Sequence, residues 1–126
     1  MKNAVLTFDD ACRSHFEFAV PLLKQYGFGI RFARTTEEAL WTKETDLMRI
    51  PAFSICDTRE EKFAEGLALL GDREDAALVL LYHGVPDLAH RHVTTTEELF
   101  KTHMKYLADN DFNVVSMADY GRRIAK

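Results

Sequence analysis

The stretch Ala76-Ala77-Leu78-Val79-Leu80-Leu81-Tyr82, closed by His83-Gly84, decides the fold. It is an unbroken apolar run of strand length, framed by Asp75 on one side and a glycine on the other. A strand with one face in water alternates apolar and polar residues. An unbroken run implies burial on both faces, the situation of a strand inside a parallel sheet covered by helices on either side. Just upstream, Thr58 to Leu70 has the apolar spacing of an amphipathic helix that stops at Gly71, and Ile50 to Cys56 reads as another strand. Downstream, Thr96 to Asn110 is the longest helical pattern, followed by a strand from Phe112 to Val115 and a terminal helix from Met117.

The N-terminal third continues the alternation. Ala4 to Phe8 is a short apolar strand that ends in Asp9-Asp10, and Ser14 to Tyr26 has helical spacing, with Ser14 as N-cap and Gly27 as stop. Pro21 kinks or splits that helix, since it lacks the amide proton that an interior helical position needs. Gly29 to Ala33 reads as a second strand. Thr35-Thr36-Glu37-Glu38 then resembles a helix start, predicting a short helix through Trp41. Five strands alternating with helices predict an α/β fold with a mainly parallel sheet.

With 126 residues, the chain is expected to form one domain over residues 1–126. The 16 basic and 20 acidic residues are scattered along the whole length, as solvated helix faces require. A nucleic-acid partner is not expected, because that interaction starts from clustered Lys and Arg displacing phosphate counterions. No apolar run approaches the roughly 18 residues that span a bilayer, so no membrane role is expected. Met1 leads directly into the first strand with no room for a secretory signal, which predicts a cytoplasmic protein. Cys12 and Cys56 are too few and too far apart for a metal knuckle or disulfide framework and read as free thiols.

Ligands of parallel α/β folds gather beyond the carboxyl ends of the strands, where loops vary without disturbing the core. That rule gathers Asp9 and Asp10 after the first strand, Asp57 after the third and His83 after the fourth into one candidate polar cluster.

Three of these residues also carry a resemblance. Leu6-Thr7-Phe8-Asp9-Asp10 resembles the first motif of the polysaccharide deacetylases, esterases that remove acetyl groups from glycans. Leu80-Leu81-Tyr82-His83-Gly84-Val85-Pro86-Asp87 resembles that family's last motif, a strand ending in a histidine. The helix and strand from Glu98 to Val115 are similar to those that close such a domain. The middle departs from the pattern. After Tyr26-Gly27-Phe28-Gly29-Ile30 the chain passes to Arg31-Phe32-Ala33-Arg34-Thr35-Thr36, which resembles a strand from much later in the family. The resemblance thus implies a shortened (β/α) barrel whose open sheet edges favour a homodimer.

The resemblance implies a glycan substrate, hydrolysis of its acetyl groups, and a divalent metal such as zinc. Carried over by matching residues, Asp9 is the catalytic base, Asp10 a metal ligand and His83 the general acid. The family's two further metal ligands, histidines separated by three residues on one helical face, have no counterpart in the sequence. With one ligand of three retained, weak metal binding and little or no deacetylase activity are expected. His90 and His92, in the loop after His83, offer substitute ligands if that loop folds back over the strand ends, and otherwise read as solvent-exposed. His15 and His103 lie in helical patterns and read as surface residues. Asp87 reads as a turn residue or a contact for a sugar hydroxyl, and Trp41 and Tyr82 as core aromatics or stacking platforms for sugar rings.

Plainer roles exist for the matched residues, with Asp9 or Asp10 as a helix cap and His83 as a turn residue before Gly84 and Pro86. A different class also fits part of the spacing. In a flavodoxin-like receiver domain, an acidic pair after strand one holds magnesium and an aspartate after strand three accepts phosphate, the positions of Asp9, Asp10 and Asp57. Such a domain needs a small hydroxyl after strand four and a lysine after strand five, where this chain has Tyr82-His83 and Ser116-Met117. A non-catalytic binding remnant is the third reading.

Overall fold

A computed structural model describes residues 1–7, 25 and 33–124. The expected helix from Ser14 to Tyr26, apart from Gln25, and most of the expected second strand lie outside the described residues, as do Asp9, Asp10, Cys12 and His15. The elements run β1 (Asn3–Thr7), β2 (Phe53–Ile55), α1 (Glu61–Leu70), β3 (Ala77–Tyr82), α2 (Glu97–Asp109), β4 (Asn113–Val115) and α3 (Met117–Ile124). Among the described residues, four strands form one all-parallel sheet in the order β2-β3-β1-β4, an α/β fold as the alternation predicted.

β3 lies at the middle of the sheet, paired with β1 from Asn3↔Ala77 to Thr7↔Leu81 and with β2 from Phe53↔Leu80 to Ile55↔Tyr82. Every one of its residues is buried. Leu78, Leu80 and Tyr82 join the core formed with Phe63 and Leu70 of α1 and Leu107 of α2. Ala77, Val79 and Leu81 face the opposite core, with Trp41, Ile50 and Tyr120 of α3. The period-two alternation of a strand therefore feeds two cores at once, the physical reason for an unbroken apolar run.

The flanking helices carry the end signals their sequence promised. Thr96 caps α2 by accepting the Leu99 amide at 3.3 Å, and Glu97 and Glu98 follow in the first turn, where the helix dipole favours negative charge. α1 is preceded by a 3₁₀ turn at Asp57–Arg59 and ends at Gly71, whose φ of +53° suits a residue without a Cβ.

Three expectations need correction. The predicted helix from Thr35 to Trp41 does not form. The Thr35 hydroxyl accepts the amide of Glu37, two residues on, which makes a turn and not a helix cap. Arg34 then bridges Ile50, and Trp41 pairs with Ala77 in both directions, at 3.0 and 2.9 Å, as extended chain. The third predicted strand shrinks from Ile50–Cys56 to Phe53–Ile55, since Pro51 has no amide to give a ladder. The sheet order also differs from the flavodoxin-like 2-1-3-4-5. There the first strand lies beside the one carrying the phosphate-accepting aspartate, whereas β1 pairs with β3 and β4 and not with β2, an order that also departs from the chain-order neighbours of the expected shortened (β/α) barrel. No described helix is long and apolar enough to cross a membrane.

If β3 holds both cores together, Leu78→Ala should cost about 2–5 kcal/mol in urea unfolding. Leu69→Ala, at a position 52% exposed, should stay within roughly 0.5 kcal/mol. Equal losses would contradict this division of the core.

Candidate functional site around the loop after β3

β1, β2 and β3 end at one rim, with Thr7 level with Leu81 and Ile55 level with Tyr82. The loop that leaves β3 at this rim, residues 83–95, is fixed by hydrogen bonds along its length. The Thr95 amide donates to Gly84 O at 3.0 Å, and the Asp57 amide to Thr94 O at 3.0 Å. The Thr95 hydroxyl, fully buried, donates to Ile55 O at 3.3 Å. Asp57 Oδ1 accepts the Thr96 amide at 2.9 Å. Asp57, a candidate from the strand-end rule, thus ties the loop to the end of β2.

The fixed loop folds Asp87 back against Gly84. A Cβ on residue 84 would lie 2.7 Å from Asp87 Cβ and 3.2 Å from its Cα, so only glycine admits this approach. The Asp87 amide donates to Thr94 Oγ1 at 2.7 Å. Held there, the Asp87 carboxylate accepts the Nδ1 proton of His83 on one oxygen. It also accepts the His90 amide at 2.9 Å and the His90 ring Nδ1 at 3.2 and 3.3 Å. Burial of this carboxyl, whose side chain is 13% exposed, pushes its pKa up, but the hydrogen bonds from His83 and His90 outweigh burial and leave it below the usual range. The carboxylate is therefore ionised throughout the neutral range.

His83, Asp87 and His90 each offer a donor atom within 4.8 Å of the others. His90 and His92 are solvent-exposed, yet the loop does fold back, and the His83 and His90 ring centroids lie 5.0 Å apart. Of the residues carried over from the resemblance, His83 stands at this rim, while Asp9 and Asp10 fall outside the described residues. The sequence places three donor side chains, His83, Asp87 and His90, within eight residues, and the close approach of Asp87 to Gly84 is what brings them together. A turn reading of Asp87 left that grouping unused.

The strand end beneath the loop is also specified. Tyr82 is buried, its ring edge-on to Phe100 and its hydroxyl 2.9 Å from His103 Nδ1. Burial raises the Tyr82 pKa well above its ordinary value, so the phenol stays protonated. His103 is not at the surface as expected. It is 5% exposed and stacked on Phe63 at 3.9 Å between centroids. Trp41 is equally a core residue, fully buried and edge-on to Tyr120. Cys56 is a buried free thiol.

The metal that the resemblance implies was assigned to Asp10 and a helical histidine pair, and the sequence has no such pair. Two imidazoles and a carboxylate, the donors that do gather, have the chemistry of a borderline transition-metal site. A scan against protein-family models and searches of curated proteins and of solved structures found no match for the chain.

Two outcomes test this geometry. His83 should show the Nδ1–H tautomer in long-range ¹⁵N NMR, and Gly84→Ala, by displacing Asp87, should shift it towards the mixture of a free imidazole. An unchanged tautomer in Gly84→Ala would show that Asp87 does not fix the ring. Burial lowers the pKa of His103. The unfolded chain takes up a proton near pH 6.5 and the folded form only at lower pH, so stability falls as pH drops below about 6.5, until the folded pKa is passed. The fall in melting temperature from pH 7.5 to 5.5 should therefore be smaller in His103→Gln than in the parent chain. An equal fall would assign the pH dependence to other groups.

Proposed function

We propose that the chain is a deacetylase-type hydrolase domain that cleaves acetyl groups from nitrogen on a glycan, with slow turnover. The reading joins the resemblance of the Asp9-Asp10 and His83-Gly84 motifs to one structural observation, the hydrogen bond by which Asp87 holds Nδ1 of His83 at the carboxyl end of β3. A carboxylate bound to Nδ1 fixes the tautomer and leaves the basic lone pair on Nε2. It also stabilises the imidazolium that forms when Nε2 takes up a proton. That is what a general acid needs, because a protonated Nε2 can pass its proton to the departing amine.

Asp9, two residues beyond the end of β1, serves as base towards the attacking water, and Asp10 is the ligand for a divalent ion. Such an ion, when bound, lowers the pKa of water and polarises the acyl oxygen. Slow turnover follows from the missing histidine pair, which leaves the ion poorly held. The parallel sheet supports the reading to the extent that it brings strand ends to one rim, where α/β folds place their ligands.

Acetate release from an acetylated chitooligosaccharide tests the proposal. A slow release is expected, lost in Asp9→Asn and reduced roughly 100-fold in His83→Ala, with Asp87→Asn between His83→Ala and the parent. Release unaffected by Asp9→Asn, or none at high enzyme concentration, would refute the hydrolytic role. Rapid release would refute the assignment of a weakened ion site.

A further inference from the structure

The geometry points to a divalent transition-metal site in the loop after β3, formed by His83, Asp87 and His90. It goes beyond the deacetylase reading, which gives the ion to Asp10, and it stands or falls independently of hydrolysis.

The donor atoms of the three side chains lie within 4.8 Å of one another. Around a tetrahedral zinc ion with ligand bonds of 2.0–2.2 Å, neighbouring donors are about 3.3 Å apart. His90 Nδ1 already lies 3.2 and 3.3 Å from the two Asp87 oxygens. As the chain stands, the protons on Nδ1 of His83 and His90 both point at one carboxylate. An ion takes the place of the Nδ1 protons in that arrangement: each ring turns its Nδ1 lone pair to the metal, with its remaining proton on Nε2, and the carboxylate exchanges two hydrogen bonds for a metal bond.

Two features separate this cluster from a chance grouping of polar side chains. The first is preorganisation. Asp87 is locked by the close approach to Gly84 and by donation of its amide to Thr94 Oγ1, and His90 is tied to it through the backbone. Little chain entropy remains to be lost when the ion binds. The second is access. The His83 and Asp87 side chains are 23% and 13% exposed and His90 is 55% exposed, so the site is shielded on one side and open on the other. Two imidazoles and one carboxylate select zinc, cobalt, nickel or copper over magnesium or calcium, which prefer all-oxygen shells. Three protein ligands leave a fourth position for water or an exchangeable ligand.

His83, Asp87 and His90 stand at i, i+4 and i+7, the positions that share one face of a helix. No helix forms here, where residues 83–90 run through turns and bends. The loop gathers the three donors through Gly84 and the Thr94 anchor instead. An ion in the clip withdraws Nδ1 of His83 from Asp87, so ion binding and the general-acid role of His83 compete for the same ring.

Calorimetric titration of the metal-stripped full chain with Zn²⁺ at pH 7.5, repeated with Co²⁺ by visible absorption, tests the inference. One-to-one binding is expected, with cobalt giving the absorption of a low-coordinate site. Asp87→Asn and His90→Ala should each remove it, Thr94→Val should weaken it roughly 10- to 100-fold by freeing Asp87, and His92→Ala should leave it within about threefold. His90 is an exposed loop residue, and circular dichroism of His90→Ala is expected to match the parent, so loss of binding there is not loss of fold. Absence of binding in the parent chain, or binding that survives His90→Ala, overturns the clip. Binding lost in Asp10→Ala but kept in His90→Ala also overturns it and supports the ion position of the deacetylase reading. Binding as expected without acetate release leaves the clip standing and counts only against hydrolysis.

Discussion

The burial of β3 on both faces is the constraint from which the remaining architecture follows. A strand whose successive residues point to opposite sides can be wholly apolar only if both sides are covered. Leu78, Leu80 and Tyr82 demand α1 and α2 above them, and Ala77, Val79 and Leu81 demand α3 and the extended chain around Trp41 and Ile50 below. Backbone hydrogen bonding adds a second demand, because amides and carbonyls buried this deeply must be paired along both edges. β1 and β2 meet it, and β1 in turn recruits β4. The pairing of Trp41 with Ala77 extends the same logic to an irregular segment.

A strand so constrained passes its rigidity to whatever follows it. Tyr82 is the last buried residue of β3 and is gripped by Phe100 and by His103, both on α2. His83 therefore leaves the sheet from a fixed point, and the loop beyond it returns over the ends of β2 and β3 through the Gly84–Thr95, Asp57–Thr94 and Ile55–Thr95 hydrogen bonds. These bonds satisfy backbone groups that the ends of parallel strands would otherwise expose. The polar rim is thus a consequence of sheet closure as well as a setting for chemistry, and Asp57 is better understood as its anchor than as a phosphate acceptor.

What the sequence disclosed, and what it withheld, follows the range of the interactions involved. The β3 run, the Thr96 cap and the Gly71 stop are local signals, and each produced the element it announced. The segment from Thr35 to Trp41 carried helix-start residues, but a hydroxyl can bond two residues on as readily as three, and pairing with Ile50 and Ala77 favoured extended chain. That competition is decided by partners far along the sequence. His103 was misplaced for the same reason, since a single histidine in an amphipathic helix declares a surface position until Phe63 and Tyr82 are known to surround it. At the site, His83 was legible from its place after a buried strand. The meeting of Asp87 and His90 with it depends on a steric fact, the absence of a Cβ at residue 84, whose effect on Asp87 no periodicity can express.

The two chemical readings of this loop are alternatives for a single pair of electrons. Nδ1 of His83 either carries a proton that Asp87 accepts, which prepares Nε2 for proton transfer, or presents its lone pair to an ion. Only the second draws on His90 as an equal partner. For a proton relay His90 is superfluous, because one imidazole and one orienting carboxylate complete the dyad. Yet Asp87 receives both the backbone amide and the ring of His90, and the chain has fixed this second imidazole beside the first. A shared cation turns this proximity into a ligand set. The position of His90 is therefore the feature that distinguishes a clip for a metal ion from an isolated acid–base pair.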